Sequence, residues 1–281
     1  AKGINFLRSN GGVMAGYWGI NKASRPMLPL IAIPTTAGTG SEAQSFALIA
    51  DEKTHQKMAC GDQKAAAKIA LLDPQITLSQ PARVTAVSGI DAISHAVESF
   101  VTTVRNPISS MFALQAWKLL AQGFPRVLRN PTDIEARGWM SLGANFAGSA
   151  IEASMLGATH ATANPLSAHF DVTHGIAIGI LLPHVIRWNA SAVGELYAEL
   201  WSATGQSPLP PEESAIALAN QIRSWTREAG LPITLKEAGI SPDSIPQLAQ
   251  EATTQWTGKY NPKPVNTPDF EILYRQAYND S

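Results

Sequence analysis

In the stretch Gly89-Ile-Asp-Ala-Ile-Ser-His-Ala-Val-Glu-Ser-Phe100 the apolar residues Ile90, Ile93, Val97 and Phe100 recur at steps of three and four. That spacing belongs to a helix turning one face into a core. Two ionisable side chains interrupt it. Asp91 and His95 stand four apart, so they project from one face a single turn apart. A carboxylate and an imidazole so placed can both reach one divalent cation, through oxygen and nitrogen bonds of about 2 Å. The alternative is an Asp–His hydrogen bond along the helix, with no metal.

Two further histidines bear on that choice. His160 lies in Gly157-Ala-Thr-His-Ala-Thr-Ala-Asn-Pro-Leu166 and His174 in Val172-Thr-His-Gly-Ile176. Both surroundings are rich in small residues and poor in charge, which suits a closely approached buried site better than a solvated surface.

Of the 281 residues 45% are hydrophobic and only 15% charged, a composition that fits roughly two domains with sizeable cores and extensive subunit contacts, so a homo-oligomer is expected. A net charge of -1 with scattered basic residues offers no electrostatic footprint for nucleic acid or an anionic membrane. No apolar run approaches the ~20 residues of a membrane span, and no charged leader with a cleavage site is visible; neither nucleic acid nor membrane is an expected partner. Cys60 is the one cysteine, which rules out an intramolecular disulfide and makes a reducing cytoplasm the expected setting. It reads as a small packing residue.

Up to about residue 82 strand-like and helix-like stretches alternate: a helix over residues 1–7, a buried strand over 28–34 closed by Pro34, another short apolar strand over 68–73. Such alternation points to a parallel α/β layer. From about Arg83 the pattern becomes long helical periodicity, broken by turns such as Asn106-Pro107, Asn130-Pro131 and Pro208-Leu-Pro-Pro211. Residues 83–281 read as an all-helical domain, with surface loops over 203–213 and 260–267.

Taken together, Asp91-x3-His95, His160 and His174 resemble the metal ligands of the iron-containing (group III) alcohol dehydrogenase family. Pro34-Thr-Thr-Ala-Gly-Thr-Gly-Ser-Glu42 is similar to that family's cofactor-side loop, Leu72-Asp-Pro-Gln-Ile-Thr77 to its strand-end segment, and Leu181-Leu-Pro-His-Val-Ile-Arg-Trp-Asn189 to its helix after the last ligand. Matching segments run from Ala1 to about Tyr274. The resemblance implies a dehydroquinate synthase-like fold of the α/β plus all-α class. It has an incomplete Rossmann-like part over 1–82, an all-helical metal domain over 83–281, and the site in the cleft between.

It also implies the chemistry: hydride transfer between NAD or NADP and a small alcohol or its aldehyde, with Fe2+ or Zn2+ polarising the oxygen. Asp91, His95, His160 and His174 would hold the ion. Thr35, Thr36, Gly38, Thr39 and Ser41 would face the nucleotide, with Lys57 reaching its ribose or phosphate; for the loop, a tight strand-to-helix turn is the plainer alternative. Asn164 stands where many members carry a further histidine, one turn after His160, and an amide cannot exchange a proton near neutral pH. His169 is the obvious substitute, with a loop or pocket-wall residue as the plainer reading. His184 reads as structural, and Glu98, three residues after His95, as an acceptor orienting it or an ordinary helix-face carboxylate.

The family's Gly-Gly-Gly-Ser pyrophosphate turn, expected just upstream of the helix that Ala1-Lys-Gly-Ile-Asn-Phe6 resembles, has no counterpart in this sequence. A dinucleotide needs such backbone N–H groups at a helix start, so the chain resembles an N-terminally truncated member in which metal binding persists while NAD(P) binding is weakened. Two other readings stay open: a metal-dependent, esterase-like hydrolase using activated water, and an inactive metal-binding oligomeric fragment.

Overall fold

The computed structural model describes residues 1–51 and 57–279, the side chain of Lys57 excepted. Helix α1 (Lys2–Asn10) opens the chain and stops at Gly11, whose φ of 75° ends the helical path. Two small sheets follow. In one, β1 (Gly19–Ile20) runs parallel to β4 (Lys57–Gly61), which pairs antiparallel with β3 (Phe46–Ala50); in the other, β2 (Ile31–Ala32) runs parallel to β5 (Ile69–Ala70).

The expected parallel layer is therefore only partly present, because β3 and β4 form a hairpin-like antiparallel pair. The stretch 28–34 also departs from expectation. Only two of its residues are strand, and Leu28, Ile31 and Ile33 are exposed, as are Ile69 and Leu71 beside β5. Their physical situation explains this: residues 30–34 line an open cleft instead of packing under a helix layer.

From residue 82 the chain is helical. Helix α2 (Ala82–Val101) is buried on nearly every side, with Ile90, Ile93 and Ala96 wholly enclosed; a helix apolar all round belongs at the centre. Around it pack α3 (Pro107–Arg129), α4 (Ile134–Glu152) and α6 (His174–Ser202). Helix α3 starts with a reciprocal cap, Asn106 serving the backbone N–H of Ser109 and the Ser109 hydroxyl serving that of Asn106.

Helices α5 (Ala158–Phe170) and α7 (Pro211–Glu228) flank α6, and α8 (Ile245–Thr254) and α9 (Thr267–Asn279) close the bundle. The Tyr274 hydroxyl donates to the Thr162 carbonyl at 2.6 Å and ties α9 to α5. The loops over 203–210 and 261–266 fall where the sequence places them.

Helix α6 corrects one expectation, since its 29 residues are long and apolar enough, by length and composition, to cross a membrane. Two thirds of its most apolar 18-residue stretch is buried inside the protein, with Leu181 and Leu182 fully enclosed, which is the condition of a core helix. His184 is likewise buried in it.

Candidate metal centre

Three helices bring Asp91, His160 and His174 to one point, with His95 beside Asp91. Asp91 and His95 project from the middle of α2, while His160 is the third residue of α5 and His174 the first of α6. The α2–α6 approach is unusually close: a Cβ on Gly175 would stand 2.1 Å from the Val87 carbonyl oxygen. Val87 lies one turn before Asp91 on α2, so this glycine contact sets His174 against Asp91.

Asp91 Oδ1 lies 3.4 Å from His95 Nε2, 3.7 Å from His160 Nε2 and 3.7 Å from His174 Nε2. Asp91, His160 and His174 each offer a ligand atom within 4.8 Å of the others. The His95 and His160 rings stack at 5.0 Å between centroids. Asp91, His95 and His160 are 5–7% exposed, yet Asp91 Oδ1 and His160 Nε2 make no hydrogen bond. Buried polar atoms left in that condition are costly unless something pairs with them, and one carboxylate with three imidazoles is a donor set that a transition-metal dication fits.

Electrostatics follow from the crowding. Burial works against the Asp91 charge, but the imidazoles of His95, His160 and His174 hold its carboxyl well below the usual carboxylate range. Burial pushes the His95 imidazole down, against the pull of Asp91. Burial also works to lower His160, but Glu98 and Asp91 outweigh it and push this ring up to about 9.

Glu98 corrects the sequence reading. Its Oε2 meets Nδ1 of His160 at 2.5 Å and its Oε1 accepts the Thr159 N–H at 2.7 Å, so its imidazole partner is His160 and not His95. The signal was present in the spacing from Asp91: positions seven apart share a helix face two turns on.

The cluster opens into a cleft of about 990 Å³ that runs to the start of α1, β2 and β3. Asn164 lines it and donates to the Gln255 side chain at 3.1 Å. Beside them stand Ile151, Met155, Leu156 and Trp256, the last stacked on Phe46 at 6.3 Å. Nothing in the sequence marked Gln255 or Trp256, which reach the cleft from the far end of the helical part.

His169 is not brought to the site. It sits nine residues beyond His160 on α5, about 13 Å along the axis, where it meets Glu251 at 2.5 Å on a partly exposed surface. The structure thus gives no support to His169 as a substitute proton carrier.

Of the loop residues, Thr39 and Ser41 line the cleft. Thr35 lends its carbonyl to Gln80, and Thr36 is half-buried. Gly38 lies against α2, where a Cβ would come within 2.7 Å of the Ser88 Cβ. Gly40, at a φ of 58°, faces Gly148 on α4, where a Cβ would meet the Ala144 carbonyl at 2.5 Å. The glycines are there for helix contact. Lys57 begins β4, its backbone opposite Ala50; its side chain lies outside the described residues, so the ribose or phosphate contact has no structural counterpart to report.

Comparison with known proteins places the chain in a family. Residues 1–74 match the model of iron-containing alcohol dehydrogenases, and residues 85–278 match that of the C-terminal part of the Fe-containing alcohol dehydrogenase family. The chain is 32% identical to the NAD-dependent methanol dehydrogenase of Bacillus methanolicus over 99% of its own length and 73% of that protein. It is 30% identical to the 1,3-propanediol dehydrogenase of Klebsiella pneumoniae, over 99% and 72%. The solved alcohol dehydrogenase of Oenococcus oeni superposes with a TM-score of 0.94 at 30% identity, covering 99% of this chain and 73% of that one. A chain matched along almost its whole length, in sequence and in fold, belongs to the iron-containing alcohol dehydrogenase family.

Proposed function

We propose that Asp91, His95, His160 and His174 hold one divalent ion, Fe2+ or Zn2+, and that the chain interconverts a small alcohol and its aldehyde with NAD or NADP as the hydride partner. The observation carrying this reading is the buried Asp91–His160 pair, with Oδ1 and Nε2 lacking hydrogen bonds in a cluster of ligand atoms within 4.8 Å. When bound, the ion supplies polarisation of the alcohol or aldehyde oxygen.

The protein's own groups do the rest. Residues 1–82 form the nucleotide-facing part and 83–281 the metal-holding part. Ile151, Met155, Leu156 and the Phe46–Trp256 stack keep water from the reacting end of the cleft. The Asn164 amide, steadied by Gln255, orients the substrate by hydrogen bonding while leaving proton exchange to water or the cofactor ribose. Thr39 and Ser41, which line the cleft, and Thr35, Thr36 and Gly38 of the same loop offer the nucleotide hydroxyls and backbone. A reducing cytoplasm suits the buried, unpaired Cys60. Relatives named as methanol and propanediol dehydrogenases and as a lactaldehyde reductase favour this reading over a hydrolase.

The deciding experiment reconstitutes the chain separately with Fe2+ and Zn2+ and follows NADH and NADPH oxidation with short neutral aldehydes. Aldehyde-dependent oxidation that disappears in His174→Ala is expected. A metal-loaded, nucleotide-saturated protein that leaves every aldehyde untouched would overturn the reading.

A further inference from the structure

Glu98 is 4% exposed, and its two oxygens do different work. Oε1 takes the backbone N–H of Thr159, the second residue of α5, while Oε2 holds Nδ1 of His160, the third. Gly157 caps the start of α5 and has no side chain to serve the freed N–H groups of its first turn. Instead Asn261 Oδ1 accepts from Ala158 at 3.2 Å and Glu98 from Thr159. A Cβ on Gly157 would stand 3.0 Å from Asn261 Oδ1 and 3.1 Å from Glu98 Oε1, so a side chain there would crowd both.

We propose that Glu98 is the positioning residue of the metal centre: by accepting Nδ1–H of His160 it fixes that ring and its tautomer, leaving the Nε2 lone pair facing Asp91 as the ligand atom. The inference rests on the metal reading above. An ionised carboxylate can only accept, so when the ring gives up one proton to a metal ion, the proton it keeps belongs on Nδ1. Nε2, 3.7 Å from Asp91 Oδ1 and without a hydrogen bond, is the atom left to bind. A carboxylate behind a ligating imidazole also raises its basicity. Helix α2 thereby supplies two ligands, Asp91 and His95, together with the group that aims a third from another helix. The start of α5 and the ligand it carries are set by one carboxylate.

Glu98→Gln tests this, because an amide cannot do both jobs. With its oxygen on Thr159 N–H, its NH2 confronts His160 Nδ1 as a donor and reverses the tautomer; turned round, the NH2 faces the Thr159 donor. Two readouts apply. In the metal-free wild type, proton NMR with 15N-labelled histidine should show a downfield, exchange-protected His160 Nδ1–H that is absent from Glu98→Gln. No such resonance in the wild type overturns the proposal. In chelator competition with Zn2+, the variant should bind about 10- to 100-fold more weakly. A folded variant with wild-type affinity would make Glu98 a helix cap alone and overturn this proposal while leaving the metal site standing. A wild type that takes no Zn2+ would overturn both.

Discussion

Ile93 and Ile31 are the same residue in opposite circumstances. Ile93 is wholly enclosed on α2, one contributor to a continuous core that joins α2 to α9, whereas Ile31 on β2 is 56% exposed. The strand-bearing part has its own small core, built from Phe6, Ala23, Ala47, Met58, Cys60 and Ala65. Among the described residues, twelve of the 21 exposed large apolar side chains lie in the first 78 positions, so that part leaves much of its apolar surface outside any core. The difference teaches where rigidity is available. A cluster of ligands must be held by packed neighbours to keep its geometry, and the helical part provides that enclosure. The open part presents a broad cleft wall suited to a large ligand.

Truncation should separate the two regions most clearly. Ile93→Ala should destabilise the fold by about 2–5 kcal/mol, as removal of an enclosed aliphatic side chain does, while Ile31→Ala should change it by less than about 0.5 kcal/mol. Urea unfolding measures both. Equal losses would show that β2 is packed as tightly as α2 and would dissolve the contrast.

Asn164→His acts at the border of the two regions. A titratable ring one turn from His160 should add an ionisation to the pH–rate profile of aldehyde reduction, or strengthen metal retention as a further ligand. If activity, metal affinity and pH profile all match the wild type, Asn164 stands apart from the chemistry.

The smallest effect belongs to Lys2, at the cleft end of α1, whose ammonium donates to the Ser41 and Phe46 carbonyls. Burial lowers it to about 8 from 10.5, against the opposing pull of Glu152 and Glu42. Between those values the folded chain has released a proton that the unfolded chain keeps, so this group's contribution to stability rises with pH through that window. Relative to Lys2→Met, the wild type should therefore gain stability from pH 7 to 10. A pH-independent difference in melting temperature would show that Lys2 is solvated.

The helical part was the more legible in sequence for a physical reason. Periodicity reports burial, and α2, buried almost all round, carries its apolar repeat and its Asp91–His95 pair in one continuous segment. His160 and His174 needed the family pattern, since each sits in the first turn of its own helix with no repeat to mark it. The strand part misled: an apolar run such as 28–34 reads as a buried strand, but whether such a run is covered depends on neighbours that its own residues do not encode. Glu98 meets His160 and not His95, because which imidazole its carboxylate reaches depends on where α5 packs, and its three-residue offset from His95 does not encode that. Gln255 and Trp256 reach the cleft through tertiary packing, which no local pattern records.

The central claim is that the helical part holds a complete metal site, and metal stoichiometry tests it most directly. The protein should be stripped with chelator, reconstituted with Fe2+ or Zn2+ under reducing conditions, desalted and assayed by elemental analysis beside His174→Ala and Asp91→Asn. The expected result is about one ion per wild-type chain, with occupancy lost in both variants while their helical signal by circular dichroism stays intact. A folded wild type that retains no transition metal, or variants that retain it fully, would contradict the account.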